Sequence, residues 1–459
     1  MILRKAIGVL LITSSFAGIS AIPAEAENVI HITTASELAA ISNDTNGSYV
    51  LDNDIHLSGT WTPINEFYGS FDGAGHKITG LRINSTGSML GLFKSIGLKG
   101  EVKNIDVYGS INGASLIGAI AGQSHGSISD CNSYVTITAT GQYTGGIVGM
   151  TEGYGITRCT NHGNVTGNTC TGGIAGYVGD TVLNCINLGT ITGNDDNTGG
   201  IVGVNRGIIS ACYNTGAVNG DYYVGGIVGY NRYSVKNSYN TATVTSTALY
   251  SGGIAGTSEE AAGSGFKPTI LYCYNIGGIV GDPNYRGGIV GDKDNITVVT
   301  KCVYLSGIRG ISSGSTYKDT ITELSINQFK IENYFSGWDL DSVWAMSAER
   351  PVLQAIPELE ILREPATASA VKLDEFTTNT DTGKKASAWK VTVTPGTDVI
   401  TNLNVKINNT PANETEGISI PKVSGGAIVF GIVVNILGSN DVTSVTAVVN
   451  GEDIAASIE

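Results

Sequence analysis

The chain has 459 residues, a formal net charge of −14, 63 glycines and only 14% charged residues. A pI near 4.8 excludes the basic footprint that nucleic acid requires and simple electrostatic docking on anionic lipid. Acidity of this kind keeps a protein soluble.

Residues 1–26 read as a signal peptide. Arg4 and Lys5 give a positive start, residues 6–21 an apolar stretch, and Ala24-Glu25-Ala26 small residues at the cleavage positions. The apolar run is too short and too interrupted for an uncleaved anchor of ~20 residues. Cleavage removes two positive charges and one negative, so the mature chain is one unit more acidic. Next, Thr34-Ala-Ser-Glu37 is a capping box. It opens a short helix through Ile41, placed to cover the N-terminal edge of a strand stack.

The middle of the chain repeats. A GGIVG-type block starts at Gly145, Gly172, Gly199, Gly225, Gly252 and Gly287, with a degenerate copy at Ile117. The starts lie 28, 27, 27, 26, 27 and 35 residues apart, the long interval carrying a loop insertion around residues 259–268. Each unit holds three short extended pieces bounded by Gly, Asn or Asp, which predict strands. In the unit at Gly145 these are residues 145–149, 155–159 and 163–167. A repeat of 27 residues leaves no room for a crossover helix. The fold expected is therefore all-β: a right-handed parallel β-helix with coils stacked ~4.8 Å apart. Residues 90–93, 102–105 and 109–113 supply the three strands one coil earlier. Residues 277–281 also spell GGIVG, but they follow Tyr274-Asn275 as residues 216–220 follow Tyr213-Asn214, so they form a third strand and start no new coil.

The GGIVG blocks and the run from Phe71 to Gly80 (FDGAGHKITG) resemble the GLUG-motif repeats of bacterial surface proteins. The segment Gly337-Trp338-Asp339, Trp344, Pro351-Val-Leu353 is similar to the aromatic end piece of such arrays. The resemblance covers residues 28–353 and implies the solenoid fold without a single shared activity. Such repeats also precede the catalytic part of some immunoglobulin-A metallopeptidases. That chemistry does not carry over, because none of the five His residues lies in a His-Glu-x-x-His arrangement.

The organisation expected is thus a signal peptide over 1–26, a GLUG-type β-helix with its cap over 27–354, a linker over 355–365 and a β-sandwich module over 366–459. The last part, with alternating runs such as residues 389–394 and 399–407, predicts six or seven antiparallel strands. Its apolar run at residues 425–438 is too short for a membrane helix and reads as a buried strand.

In a solenoid each repeat position becomes a column. One column is Cys131, Cys159, Cys185, Cys212, Ser238, Cys273 and Cys302, with Cys170 off it in a turn. Parallel stacked side chains point the same way, which is wrong for unstrained disulfides. A line of ligands also does not make a tetrahedral zinc site. Free, buried thiols are expected. Two residues on run Asn161, Asn187, Asn214, Asn240 and Asn275, a stack of turn amides. The third strand carries an outward Thr-rich pair of columns, Thr136/Thr138 through Thr243/Thr245. These resemble ice-binding faces of antifreeze β-helices, but Asn and Ala interrupt the grid and Thr suits any exposed strand.

No paired carboxylates of the kind acid–base chemistry needs appear mid-strand; Asp195-Asp196 and Asp292-Lys-Asp294 sit in turns, and Asp72 suits a turn former. No catalytic residue, cofactor or metal ligand is assigned. The reading is a secreted or cell-surface structural, adhesin-like protein whose partners are glycans or surface proteins, with no membrane insertion once the leader is gone. Its alternatives are a carbohydrate-binding surface protein and a glycan-degrading β-helix enzyme. Tyr143, Tyr222, Tyr223, Tyr230, Tyr233 and Tyr250 gather near coil corners; Tyr222, Tyr223 and Tyr250 are the candidate ligand-binding residues, with solvent cover as their other role.

Overall fold

The computed structural model describes residues 29–355, apart from 262, 264, 315–318 and 348, and beyond them the backbone of eight strands between 367 and 458. The expected signal peptide lies outside the described residues. The chain divides into two compact units, Met1–Pro357 and Glu358–Glu459.

The first unit is a parallel β-solenoid of about nine turns with three faces. The long face is a sheet of 24 strands, the middle face has eight strands and the short face six. Gly145, Gly172, Gly199, Gly225, Gly252 and Gly287 lie in one register column. Ile117 bridges to Thr144 and Ala121 pairs with Val148, so the degenerate copy joins the column through Gly118, one residue later than the expected start at Ile117. Ile279 pairs with Val244, so residues 277–281 are a third-strand copy as expected.

Two details differ from the three-strand reading. The GGIVG block bends through a corner: its first Gly ends a short-face strand (Gln142–Gly145) and its Val opens a middle-face strand (Val148–Thr151). Gly146 turns that corner, and a Cβ there would collide with the Gly173 carbonyl and the Asn161 side chain. Conversely, the expected second and third strands share the long face. In Glu101–Gly113 and Ser127–Ala139 they run together as single strands of 13 residues. A residue with positive φ recurs in this face immediately before each cysteine-column position: Asp130, Arg158, Asn184, Ala211, Asn237, Tyr272 and Lys301, all near +50°. Non-glycine residues adopt this conformation at a cost, and the column bends each coil inward so that the next side chain enters the core.

That core is a continuous apolar column of Ile, Val, Leu and Phe with Cys131, Cys159, Cys185, Cys212, Cys273 and Cys302 inside it, each fully buried. All seven cysteines are unpaired. The thiol of Cys131 donates to the Ser129 carbonyl (3.1 Å) and that of Cys212 to Ser210 (3.3 Å), so each sulfur is a small hydrophobe with a local acceptor. The asparagine column forms an unbroken amide ladder: Nδ2 of Asn161, Asn187, Asn214 and Asn240 donates to Oδ1 of the next Asn at 2.7–2.8 Å. Each Nδ2 also donates to a carbonyl two residues on in its own turn, such as Gly216 at 2.9 Å. A second buried ladder, Asn205 to Asn231 to Ser258 (2.9 and 3.0 Å), was not read from the sequence.

At the N-terminal end the capping box forms. Thr34 accepts from Glu37 N and Glu37 accepts from Thr34 N; helix α1 (Ala35–Ala40) buries Leu38 in the solenoid core, and Ile41, which follows it, is buried there too. The aromatic end piece does something different from closing the far end. It lies on the outside of the long face, seating Trp338 and Trp344 with Phe329 and Phe335 against the stacked column Tyr213, Tyr239 and Tyr274. Tyr274 Oη donates to the Pro351 carbonyl at 2.8 Å. The same column carries Asn132 and Thr160 in earlier coils and only becomes apolar where the end piece covers it.

In the second unit eight strands pair in one order, antiparallel except for a parallel pairing of residues 368–370 with 456–458. The apolar run contributes the strand Ala427–Ile436. Among the described residues no helix is long and apolar enough to cross a membrane.

Candidate binding surface

The position two residues before each first Gly is the corner between long and short faces. It is held by Tyr143, Cys170, Asn197, Tyr223, Tyr250 and Tyr285, and the first five have positive φ. A bulky side chain in that conformation is thrown outward over the corner. Of the candidate residues, Tyr223 and Tyr250 are neighbours in this column, with rings 5.6 Å apart and 3° from parallel. Tyr222 is turned 48° from Tyr223 and is 37% exposed. The three candidates therefore do come together.

Tyr177, Tyr285, Arg206 and Arg232, which the sequence reading does not single out, complete the surface together with Tyr143 and Tyr230, which it does. Tyr285 meets Tyr250 edge-on at 5.2 Å, and Tyr177 meets Tyr143 edge-on at 5.7 Å. Tyr230, on the middle face, lies 6.1 Å from Tyr223, donates to Glu259 at 3.0 Å and has the Arg232 guanidinium over its ring at 4.3 Å. Arg206 stands 6.0 Å over Tyr177. The signal was present: Tyr177 and Tyr230 share one repeat position and Arg206 and Arg232 another. Tyr233 is elsewhere, its ring 4.2 Å from Phe266 of the insertion.

Burial, with help from Glu259, Asp196 and other acidic neighbours, pushes the Tyr223 phenol above its ordinary range. Burial and Asp292 do the same to Tyr250. Burial and the neighbouring Asp195 and Asp221 raise the Asp196 carboxyl. The surface thus offers neutral hydroxyl donors, carboxylate acceptors and one tilted aromatic face. A second aromatic stack lies on the long face, Tyr108, Tyr134 and His162, at 4.3 and 4.2 Å and nearly parallel.

The carboxylate most open to a catalytic reading has other work. Asp72 Oδ1 accepts from Ala74 N (2.8 Å) and Asn104 Nδ2 (3.0 Å), which makes it a turn former. Among the described residues no group of three His, Cys, Asp or Glu could hold a metal ion. The Thr columns do point outward, with Thr136, Thr138, Thr190 and Thr243 exposed.

Residues 220–245 match the family model of the GLUG motif, so the chain carries that motif at the coil that includes Tyr222 and Tyr223. It is 32% identical over 148 residues to halomucin of Haloquadratum walsbyi, covering 28% of this chain and 2% of that protein. It is 37% identical over 120 residues to a putative Gly-rich membrane protein of Evansella cellulosilytica, covering 22% of this chain and 14% of that one. The chain therefore spans only a small part of either relative. No solved structure matches it.

Proposed function

We propose that the chain is an extracellular or cell-surface structural protein whose solenoid is a stiff rod and whose tyrosine corner is its adhesive surface, working without catalysis. The observation that carries this is the convergence of Tyr222, Tyr223 and Tyr250 at one corner of a stack whose inner columns are otherwise spent on packing and amide ladders. The names of the two relatives, halomucin and a Gly-rich membrane protein, support a surface setting. The ligand class that suits the corner is a neutral glycan. Phenol hydroxyls donate, Asp196 and Asp221 accept, and the tilted Tyr222 ring offers a face to a sugar's C–H groups.

The test incubates the mature protein with a panel of polysaccharides and surface proteins and follows both retention and release of product. Retention that falls when Tyr222, Tyr223 and Tyr250 are changed together supports the reading, since repeated weak contacts compound. Sustained turnover that vanishes with one carboxylate, such as Asp72 or Asp196, would overturn it.

A further inference from the structure

The second buried polar column of the solenoid ends in a charge. Its register runs Asn205, Asn231, Ser258 and then Lys293. The Lys293 ammonium stands 3.3 Å from Asp319 Oδ2, and the two side chains are only 2% and 1% exposed. Nζ donates to the carbonyls of Thr297 (3.0 Å) and Asp294 (3.3 Å). Asp319 Oδ1 accepts from Val299 N at 2.9 Å, while Oδ2 takes no aligned hydrogen bond. Asp319 directly precedes the strand Thr320–Leu324, which pairs with Val298–Leu305 at the C-terminal end of the stack.

We propose that Lys293 and Asp319 are a modification site at which the two side chains condense into an intramolecular amide. A water-excluded site penalises a separated ion pair, and moving one proton from Nζ to Oδ2 gives a neutral amine beside a neutral carboxylic acid. The two hydrogens left on Nζ are held by the Thr297 and Asp294 carbonyls, which turns the nitrogen lone pair toward the carboxyl group. Nζ attacks Cγ, the N–Cγ bond forms, the bond from Cγ to the hydroxyl breaks, and one amine proton leaves with that hydroxyl as water. Atoms and charges balance without oxidant, reductant or cofactor. A stack in which each coil touches only its neighbours frays from its ends, and this link would tie the last coil to the strand paired onto it.

The experiment is the intact mass of the secreted, folded full chain, with its N-terminus determined and peptides mapped after proteolysis. The expected result is a chain one water lighter than its sequence, with a branched peptide joining the Lys293 and Asp319 fragments. Lys293→Arg keeps the positive charge but should show its full sequence mass and no branched peptide. A wild-type chain with a folded β signature in circular dichroism, full mass and separate linear peptides overturns the proposal and leaves a buried ion pair. The measurement is independent of ligand binding, so it stands or falls apart from the adhesive reading.

Discussion

Tyr223 and Tyr250 stack face to face across one coil step, 5.6 Å apart and 3° from parallel, so each ring has one face covered by its neighbour. That leaves Tyr222, tilted 48° away, as the ring able to lie against a sugar. Tyr222→Ala should therefore weaken glycan retention about 2- to 10-fold, the equivalent of about 0.5–1.5 kcal/mol for one aromatic contact. Tyr223→Phe, which keeps the stack and loses a hydroxyl, should cost less. Affinity electrophoresis against the retained polysaccharide measures both. Unchanged migration of Tyr222→Ala would remove this residue from the surface.

The amide ladder makes a stability prediction. Asn214 Nδ2 donates to Asn240 Oδ1 and to the Gly216 carbonyl, and its Oδ1 accepts from Gly216 N and from Asn187 Nδ2. Asn214→Ala strips four hydrogen bonds from a fully buried site and orphans the Gly216 amide. At about 1–3 kcal/mol per unsatisfied buried group, urea denaturation should show a loss of about 3 kcal/mol. Asn219→Ala, on the outward side of the same coil, should change little. Equal midpoints for the two variants would mean that the ladder contributes nothing net.

A repeat encodes some features directly and leaves others illegible. The Gly spacing fixes the coil length, and alternation around Ile137, Val165 and Ile191 fixes which side chains enter the core, so the parallel stack and the cysteine column could be read directly. The corner bends could not. They depend on positive φ at residues as unlike as Asp130, Arg158 and Tyr272, which share a position but no chemistry. The aromatic end piece was recognised but its place was not, because its docking face is built from Tyr213, Tyr239 and Tyr274, three residues that also pass for turn flankers. At the tyrosine corner, Tyr177 and Arg206 were overlooked although their repeat position was visible, since proximity across faces depends on the bend at Gly145–Gly146. The Lys293–Asp319 pair joins a residue of the last repeat to one beyond the repeats, and nothing in the local sequence announces it.

The Tyr108–Tyr134–His162 stack should give stability a pH dependence at both ends. Burial holds the His162 imidazole below its ordinary 6.5, so its contribution is complete above that value and is lost as pH falls through the lowered one. Burial, with Tyr108 and Asp106 beside it, pushes Tyr134 from 10.0 up to about 12. Its contribution is complete below pH 10 and declines as pH rises toward 12. Urea midpoints across pH should show both limbs, His162→Phe flattening the acid one and Tyr134→Phe the alkaline one. A His162 that titrates by NMR at or above the ordinary value would contradict the acid limb.

The cysteine column tests the core itself. Burial pushes the thiols of Cys131, Cys159 and Cys185 well above the ordinary range and that of Cys170 up to about 11. The thiolate is the reactive form, so the folded protein should react slowly with thiol reagents and yield seven thiols on unfolding without added reductant. Cys212 donates to the carbonyls of Ser210 and Val182 and accepts from Cys185 N at 3.4 Å. Ser238, in the same column, makes the equivalent contacts, donating to Lys236 O at 2.8 Å and accepting from Cys212 N at 3.2 Å. Cys212→Ser should therefore cost about 1 kcal/mol, the worth of a typical buried polar exchange in which hydrogen bonds are kept. Cys212→Asp would set an unpaired charge among Ile209, Val182 and the neighbouring thiols, and should cost about 3–5 kcal/mol, loosening adjacent coils together because each is held by its neighbours. Urea midpoints for the two variants give the comparison. A non-reducing digest that links Cys159 to Cys185 would show that the parallel side-chain geometry does not prevent bridging, and the prediction of free thiols would fail with it.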